Sequence, residues 1–168
     1  MNAQTGNEEF LQLIQENKRI IFKICNAYCH NKSDREDLVQ EIIYQLWKSS
    51  GSFDAAHKFS TWMYRIALNT AISFYRKIKR TKPVISFPEH FIDVEDKEEA
   101  GDTEKNINLL QQYINELPEL QRAMMILYLE EKSYAEIADI LGITETNVAT
   151  KISRTKEKLK QKFQTSNH

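Results

Sequence analysis

Apolar positions recur along this chain with a helical period and almost never alternate. Between Glu8 and His30, Phe10, Leu13, Ile14, Ile20, Ile21, Ile24, Cys25 and Tyr28 form the buried side expected of a helix pair. After a break at "NKS", Ser33 and Glu36 make an S-x-x-E capping box, which predicts a helix starting at Asp34. Leu38, Val39, Ile42, Ile43, Leu46 and Trp47 form its apolar side, opposite Asp37, Gln40, Glu41, Tyr44 and Lys48. "SSGSFDAAHKF" reads as a loop, and Ser60 as the cap of a helix running to about Arg80. In that helix Met63, Ala67, Thr70, Ala71, Phe74 and Ile78 are expected core residues. Trp62, Arg65, Asn69, Ser73, Arg76 and Arg80 share a different side.

Helical periodicity resumes near Asp102 with Ile107, Leu110, Ile114 and Leu117. Pro118 suits the first turn of a following helix that carries Leu120, Met124, Ile126, Leu127 and Leu129. A second S-x-x-E box, Ser133 to Glu136, opens a short helix with Ile137, Ala138 and Leu141 inward. Gly142 makes the turn, Ile143 plugs the space between helices, and Thr144 caps a longer helix. Val148, Ile152, Thr155, Leu159 and Phe163 are its inner positions. This spacing predicts a helix-turn-helix.

Composition narrows the class further. With 4 Gly and 3 Pro in 168 residues, turn signals are few and the expected fold is all-α. The apolar runs are too short to span a bilayer, and the acidic N-terminal stretch does not resemble a signal peptide. The expectation is a cytoplasmic protein with no direct membrane insertion. Cys25 and Cys29 read as small core residues, since no further ligand stands at metal-binding spacing. Neither a metal nor another cofactor is expected.

The net charge of -1 conceals a segregated pattern. Ala55 to Pro88 holds seven Lys and Arg and no acid, Glu89 to Glu104 holds eight acids against Lys97, and the stretch from Thr144 onward is basic again. Two small helical domains, 1–80 and 103–168, are therefore expected on either side of a flexible acidic linker at 81–102, which contains Pro83, Pro88 and Gly101. Trp62, aligned with cations and Asn69, admits two readings. It could stack on an unpaired base beside phosphate-binding groups, or pack under the preceding loop. On the helix after Thr144, the residues Thr146, Asn147, Thr150, Lys151 and Arg154 point outward, and Lys151, Arg154 and Lys158 are placed for phosphates or guanines.

"DREDLVQEIIYQLWK" is similar to region 2.2, "KFSTWMYRIALNTAISFYRK" to regions 2.3 and 2.4, and "LPELQRAMMILYLEEKSYAEIADILGITETNVATKISRTKEKL" to region 4 of one family. On these motifs the chain resembles a bacterial RNA polymerase sigma factor of the sigma-70 family, in the extracytoplasmic-function (ECF) group. The resemblance implies that Asp37, Gln40, Glu41 and Tyr44 dock on the clamp helices of core RNA polymerase. It implies that the loop Gly51 to Phe59, with Phe53, Lys58 and Phe59, captures a base flipped from the minus-10 element. Trp62, Arg65, Asn69, Arg76, Lys77 and Arg80 would then hold the opened single strand. Thr144, Thr146, Asn147, Thr150, Lys151, Arg154 and Lys158 would read the minus-35 duplex, with this domain resting on the polymerase flap. Promoter DNA and a sequestering anti-sigma factor are implied as further partners. Where the family usually shows a basic residue, a serine and an arginine, this chain has Ala149, Thr150 and Lys151.

Two other classes compete. A stand-alone helix-turn-helix regulator accounts for Thr144 to Leu159 but leaves the polar face at Asp37, Gln40 and Glu41 and the basic aromatic helix without a task. An enzyme is disfavoured because no Gly-rich phosphate loop, His and carboxylate cluster, or nucleophile with its base stands at motif spacing.

Overall fold

The computed structural model describes residues 3–54, 56–81 and 102–166. Among them the regular elements are all helical: α1 Ala3–Glu16, α2 Lys18–Tyr28, α3 Lys32–Lys48, a 3-10 turn at Ser50–Ser52, α4 Phe59–Thr81, α5 Asp102–Glu116, α6 Glu119–Leu129, α7 Tyr134–Leu141 and α8 Glu145–Ser166. They fall into two compact units, Met1–Ile78 and Lys79–His168. The expected acidic linker at 81–102 lies outside the described residues, apart from Thr81 and Asp102.

In the first unit α1 and α2 are separated by Asn17, whose side-chain amide donates to the Leu13 carbonyl at 2.8 Å. The start of α3 differs from expectation. Asn31, not Ser33, caps it, with its carbonyl oxygen accepting from the Asp34 amide at 2.7 Å while its amide donates to the Asp34 carboxylate at 2.6 Å. Asn is as strong a cap as Ser, and here the pairing with Asp34 is reciprocal. Ser60 is likewise not a cap. The Trp62 amide bonds the Lys58 carbonyl at 3.3 Å, so α4 opens at Phe59, whose ring packs on Phe10, Phe53 and Trp62.

Burial corrects the helical wheels. On α3 the buried residues are Leu38, Ile42 and Leu46, while Ile43 and Trp47 are 39% and 42% exposed. On α4 the buried residues are Met63, Tyr64, Ala67, Leu68 and Ala71; Thr70, Phe74 and Ile78 are only half-buried. Both helices are rotated relative to the apolar sides that their periodicity predicts, and α4 buries Tyr64 and Leu68 in addition.

The second unit is organised on α6, where Arg122 through Leu127 are all buried, as expected of a helix surrounded by others. Pro118 stands one position before the helix, as its N-cap, where its missing N–H leaves nothing unsatisfied. The buried Arg122 guanidinium donates from Nη2 to the Leu117 carbonyl at 2.9 Å and so clamps the α5–α6 turn. At the other end of α6 the chain turns through Glu131 at φ 62, with the Glu131 and Lys132 amides bonded back to the Tyr128 and Leu127 carbonyls.

Two outcomes check this description. Asn31→Ala is expected to lower the stability of the first unit by about 1 kcal/mol in urea denaturation, and Ser33→Ala to change it by less than about 0.5 kcal/mol. Burial, with a smaller effect of Cys29, pushes the Cys25 thiol from 9.0 up to about 12. A raised thiol pKa stabilises the fold fully below the unfolded value and loses that contribution as pH climbs from 9 toward 12. The stability difference between the native chain and Cys25→Ala is therefore expected to shrink across that window, followed by denaturation at each pH.

Candidate nucleic-acid interface

α4 is 23 residues long and carries no carboxylate. Because Met63, Tyr64, Ala67, Leu68 and Ala71 take its buried side, Arg65, Asn69, Ser73, Arg76, Lys77, Lys79 and Arg80 are left exposed. The helix thus presents cations over several turns, with Lys79 and Arg80 in its last turn complementing the helix dipole. The Thr70 hydroxyl donates to the Ile66 carbonyl at 2.7 Å.

At the N-terminal end of this helix, aromatic rings gather. Trp62 is half-buried, with ring centroids 5.4 Å from Phe53, 5.5 Å from Phe59 and 5.8 Å from Phe10. Of the two readings open for Trp62, packing under the loop is realised in this structure, through Phe53. Phe59 is half-buried in the same group, and Lys58 is exposed beside it. The loop backbone is held by the Ser52 hydroxyl donating to the Ser49 carbonyl at 2.6 Å and by the Ala56 amide donating to the Asp54 carboxylate at 3.0 Å.

The outer side of α3 exposes Asp37, Gln40, Glu41, Tyr44 and Lys48. Gln45 donates to Glu41 at 3.0 Å along this face. The rotation of α3 adds Ile43 and Trp47, so the face combines carboxylates and amides with large apolar groups, the composition of an interface core within a polar rim.

In the second unit the helix-turn-helix follows the sequence closely. The Ser133 hydroxyl accepts from the Glu136 amide at 3.1 Å, and the Thr144 hydroxyl accepts from the Asn147 amide at 3.1 Å. Gly142 sits at φ 70, and the amides of Gly142 and Ile143 both return to the Ala138 carbonyl. Val148, Ile152, Thr155 and Leu159 are buried, with Phe163 half-buried against Tyr113. Ile140, not Leu141, is the fully covered residue near the end of α7. Thr144, Thr146, Asn147, Thr150, Arg154 and Lys158 are exposed on α8 or at its cap. Lys151 is half-buried, so it is less outward than its wheel position implied. Lys158 borders an open cleft of about 470 Å³ between α5 and α8. Lys156 points toward α6, donating to the Tyr128 hydroxyl at 3.1 Å and lying 5.0 Å above its ring. That hydrogen bond raises its pKa above the usual lysine value.

Known proteins share this arrangement. Sigma-70 region 2 matches residues 13–81, and Sigma-70, region 4 matches residues 107–159. The ECF RNA polymerase sigma factor SigW of Bacillus subtilis (strain 168) is 30% identical, over 96% of this chain and 92% of its own length. The chain belongs to the ECF sigma factors of the sigma-70 family. The ECF RNA polymerase sigma-E factor of Escherichia coli (strain K12) is 31% identical over 96% of this sigma factor and 91% of its own length. CnrH, solved in complex with the cytosolic domain of CnrY, shares the fold with a TM-score of 0.68 at 20% identity, over 97% of this chain and 94% of that one. The sigma factor RpoE from Bartonella quintana, solved with the anti-sigma factor NepR, has a TM-score of 0.67 at 20% identity, over 92% and 96%.

Within this sigma factor, region 2 covers the end of α1 through α4, and region 4 covers most of α5 through most of α8. Among the described residues no group of three His, Cys, Asp or Glu is placed to hold a metal, and no helix is long and apolar enough to cross a membrane. Periodicity alone does not reveal the exposure of Ile43 and Trp47, the buried clamp of Arg122 or the bridge from Lys156 to Tyr128. The alternating charge of the last helix carries no signal for that bridge. Arg122 does leave one, as the one cation inside the apolar run of α6.

Proposed function

We propose that this ECF sigma factor, which directs RNA polymerase to promoters, divides recognition between its two helical units, 1–80 and 103–168. The observation that carries the proposal is the joint presence, in one chain and in family order, of a carboxylate-free basic helix beside an aromatic cluster and of a capped helix-turn-helix. In the first unit, Asp37, Gln40, Glu41 and Tyr44 dock on the clamp helices of core RNA polymerase. The exposure of these residues, together with Ile43 and Trp47, supports that assignment. Phe53, Lys58, Phe59, Trp62, Arg65, Asn69, Arg76, Lys77 and Arg80 hold the separated minus-10 strand. Cations neutralise phosphates at every sequence, while ring faces accept unstacked bases.

In the second unit, α8 lies in the major groove of the minus-35 duplex. Thr144, Thr146, Asn147 and Thr150 stand near its N-terminal end, where base edges are met, and Lys151, Arg154 and Lys158 reach phosphates or guanines. The acidic stretch at 81–102 serves as a tether. The chain acts by placing the polymerase and carries no catalytic residue of its own. An anti-sigma factor as partner is supported by the two structural relatives, each solved with such a bound chain or a cytosolic domain of its partner.

The direct test adds the purified chain to core polymerase on a library of promoters and sequences the transcript starts. Starts that do not change on addition sink the reading. Gln40→Ala with Glu41→Ala is expected to weaken core binding about ten-fold while far-UV circular dichroism stays unchanged. Trp62→Ala or Arg76→Ala is expected to leave core binding intact and reduce permanganate reactivity of unpaired thymines. The loss of one stacked base at Trp62 corresponds to about 1–3 kcal/mol. For Arg154→Ala, the slope of log affinity against log salt on the upstream duplex should flatten by about one phosphate contact.

A further inference from the structure

Phe10 stands in α1, ahead of the region 2 match that begins at residue 13. Its ring is 9% exposed and meets three others edge-on: Trp62 at 5.8 Å and 73°, Phe59 at 6.0 Å and 80°, and Trp47 at 6.1 Å and 61°. Trp62 and Phe59 belong to the strand-holding group, and Trp47 to the exposed face of α3. One ring from a position ahead of the matched span therefore touches both surfaces.

We propose that Phe10 is a positioning residue: its edge-on contacts set the plane in which Trp62 meets the unpaired strand, and tie that plane to the docking face through Trp47. The inference rests on the strand-holding role given to Trp62 above. Edge-to-face contact is directional because the positive ring edge of one partner meets the negative face of the other. An aliphatic side chain can fill the same space, but it lacks this edge-to-face preference. Phe53 covers Trp62 from the loop side at 5.4 Å, so a base reaching Trp62 must displace or share that contact. Phe10, being buried, remains as the fixed support when the loop gives way.

The chain's two tryptophans are Trp47 and Trp62, so fluorescence excited selectively at tryptophan reports on this cluster. The test uses the full chain with saturating core polymerase, and permanganate reactivity is scored per assembled holoenzyme. Phe10→Leu, or the similarly sized Phe10→Met if the first variant folds poorly, should alter the tryptophan signals without loss of helix content. It should lower strand opening about five-fold, a substantial part of one stacked base. Phe10→Tyr, which keeps the ring, should restore opening. In a Trp62→Ala background, Phe10→Leu should add no further loss, because coupled residues are not additive. If Phe10→Leu opens the promoter as the native chain does while Trp62→Ala does not, Phe10 is packing alone and the strand site stands. Normal opening by Trp62→Ala removes the strand-site reading, and the role of Phe10 falls with it.

Discussion

Burial of a narrow apolar stripe on each helix is the constraint from which both surfaces of the first unit follow. On α4 the stripe is Met63, Tyr64, Ala67, Leu68 and Ala71, none more than 3% exposed. Full burial of a large apolar side chain contributes about 1.5–3 kcal/mol, whereas an exposed ion pair contributes at most about 1 kcal/mol. The stripe therefore sets the rotation of α4, and the cations occupy what remains. The buried side of α4 thus lies away from Arg65, Asn69 and Arg76, which are exposed.

The same competition turns α3. Leu38, Ile42 and Leu46 are completely covered, and their burial moves the outward side toward Ile43, Tyr44 and Trp47. Large apolar groups left open among carboxylates and amides are costly for an isolated chain, and they are what a protein interface uses at its centre. Trp47 packs against Phe10, with ring centroids 6.1 Å apart, and still offers 42% of its surface. Folding of the unit and exposure of Ile43, Tyr44 and Trp47 are thus two results of one packing arrangement.

The second unit depends more on local backbone chemistry. Ser133 and Thr144 satisfy amides at two helix starts, and Gly142 adopts the left-handed conformation that lets two amides return to Ala138. These groups lie within a few residues of their partners, so the angle between α7 and α8 is set over a short span of chain. Packing against α6 then anchors α8. Lys156 on Tyr128 and Lys162 on Glu116 attach it at two further points, at 3.1 Å each, and leave Thr146, Asn147, Thr150 and Arg154 unobstructed.

Helical period, charge segregation, the Ser133 and Thr144 caps and the Gly142 turn are legible in the amino-acid order because they follow from contacts among near neighbours, and the sequence determines these alone. Most residues of the helix-turn-helix stand where their spacing places them; Ala138, Lys151 and Phe163 are half-buried, and Ile140 takes the covered place expected of Leu141. What tertiary structure decided was rotation and choice among equal alternatives. Asn31 displaces Ser33 as a cap because both are competent and only one pairs with Asp34. Trp62 lies under the loop because Phe10 and Phe53, which stand outside α4, converge in space on it and on its helical neighbour Phe59. A period states that a helix has an apolar side; the shape of its neighbours determines which residues at the margin of that side are covered, and the wheel contains no neighbours.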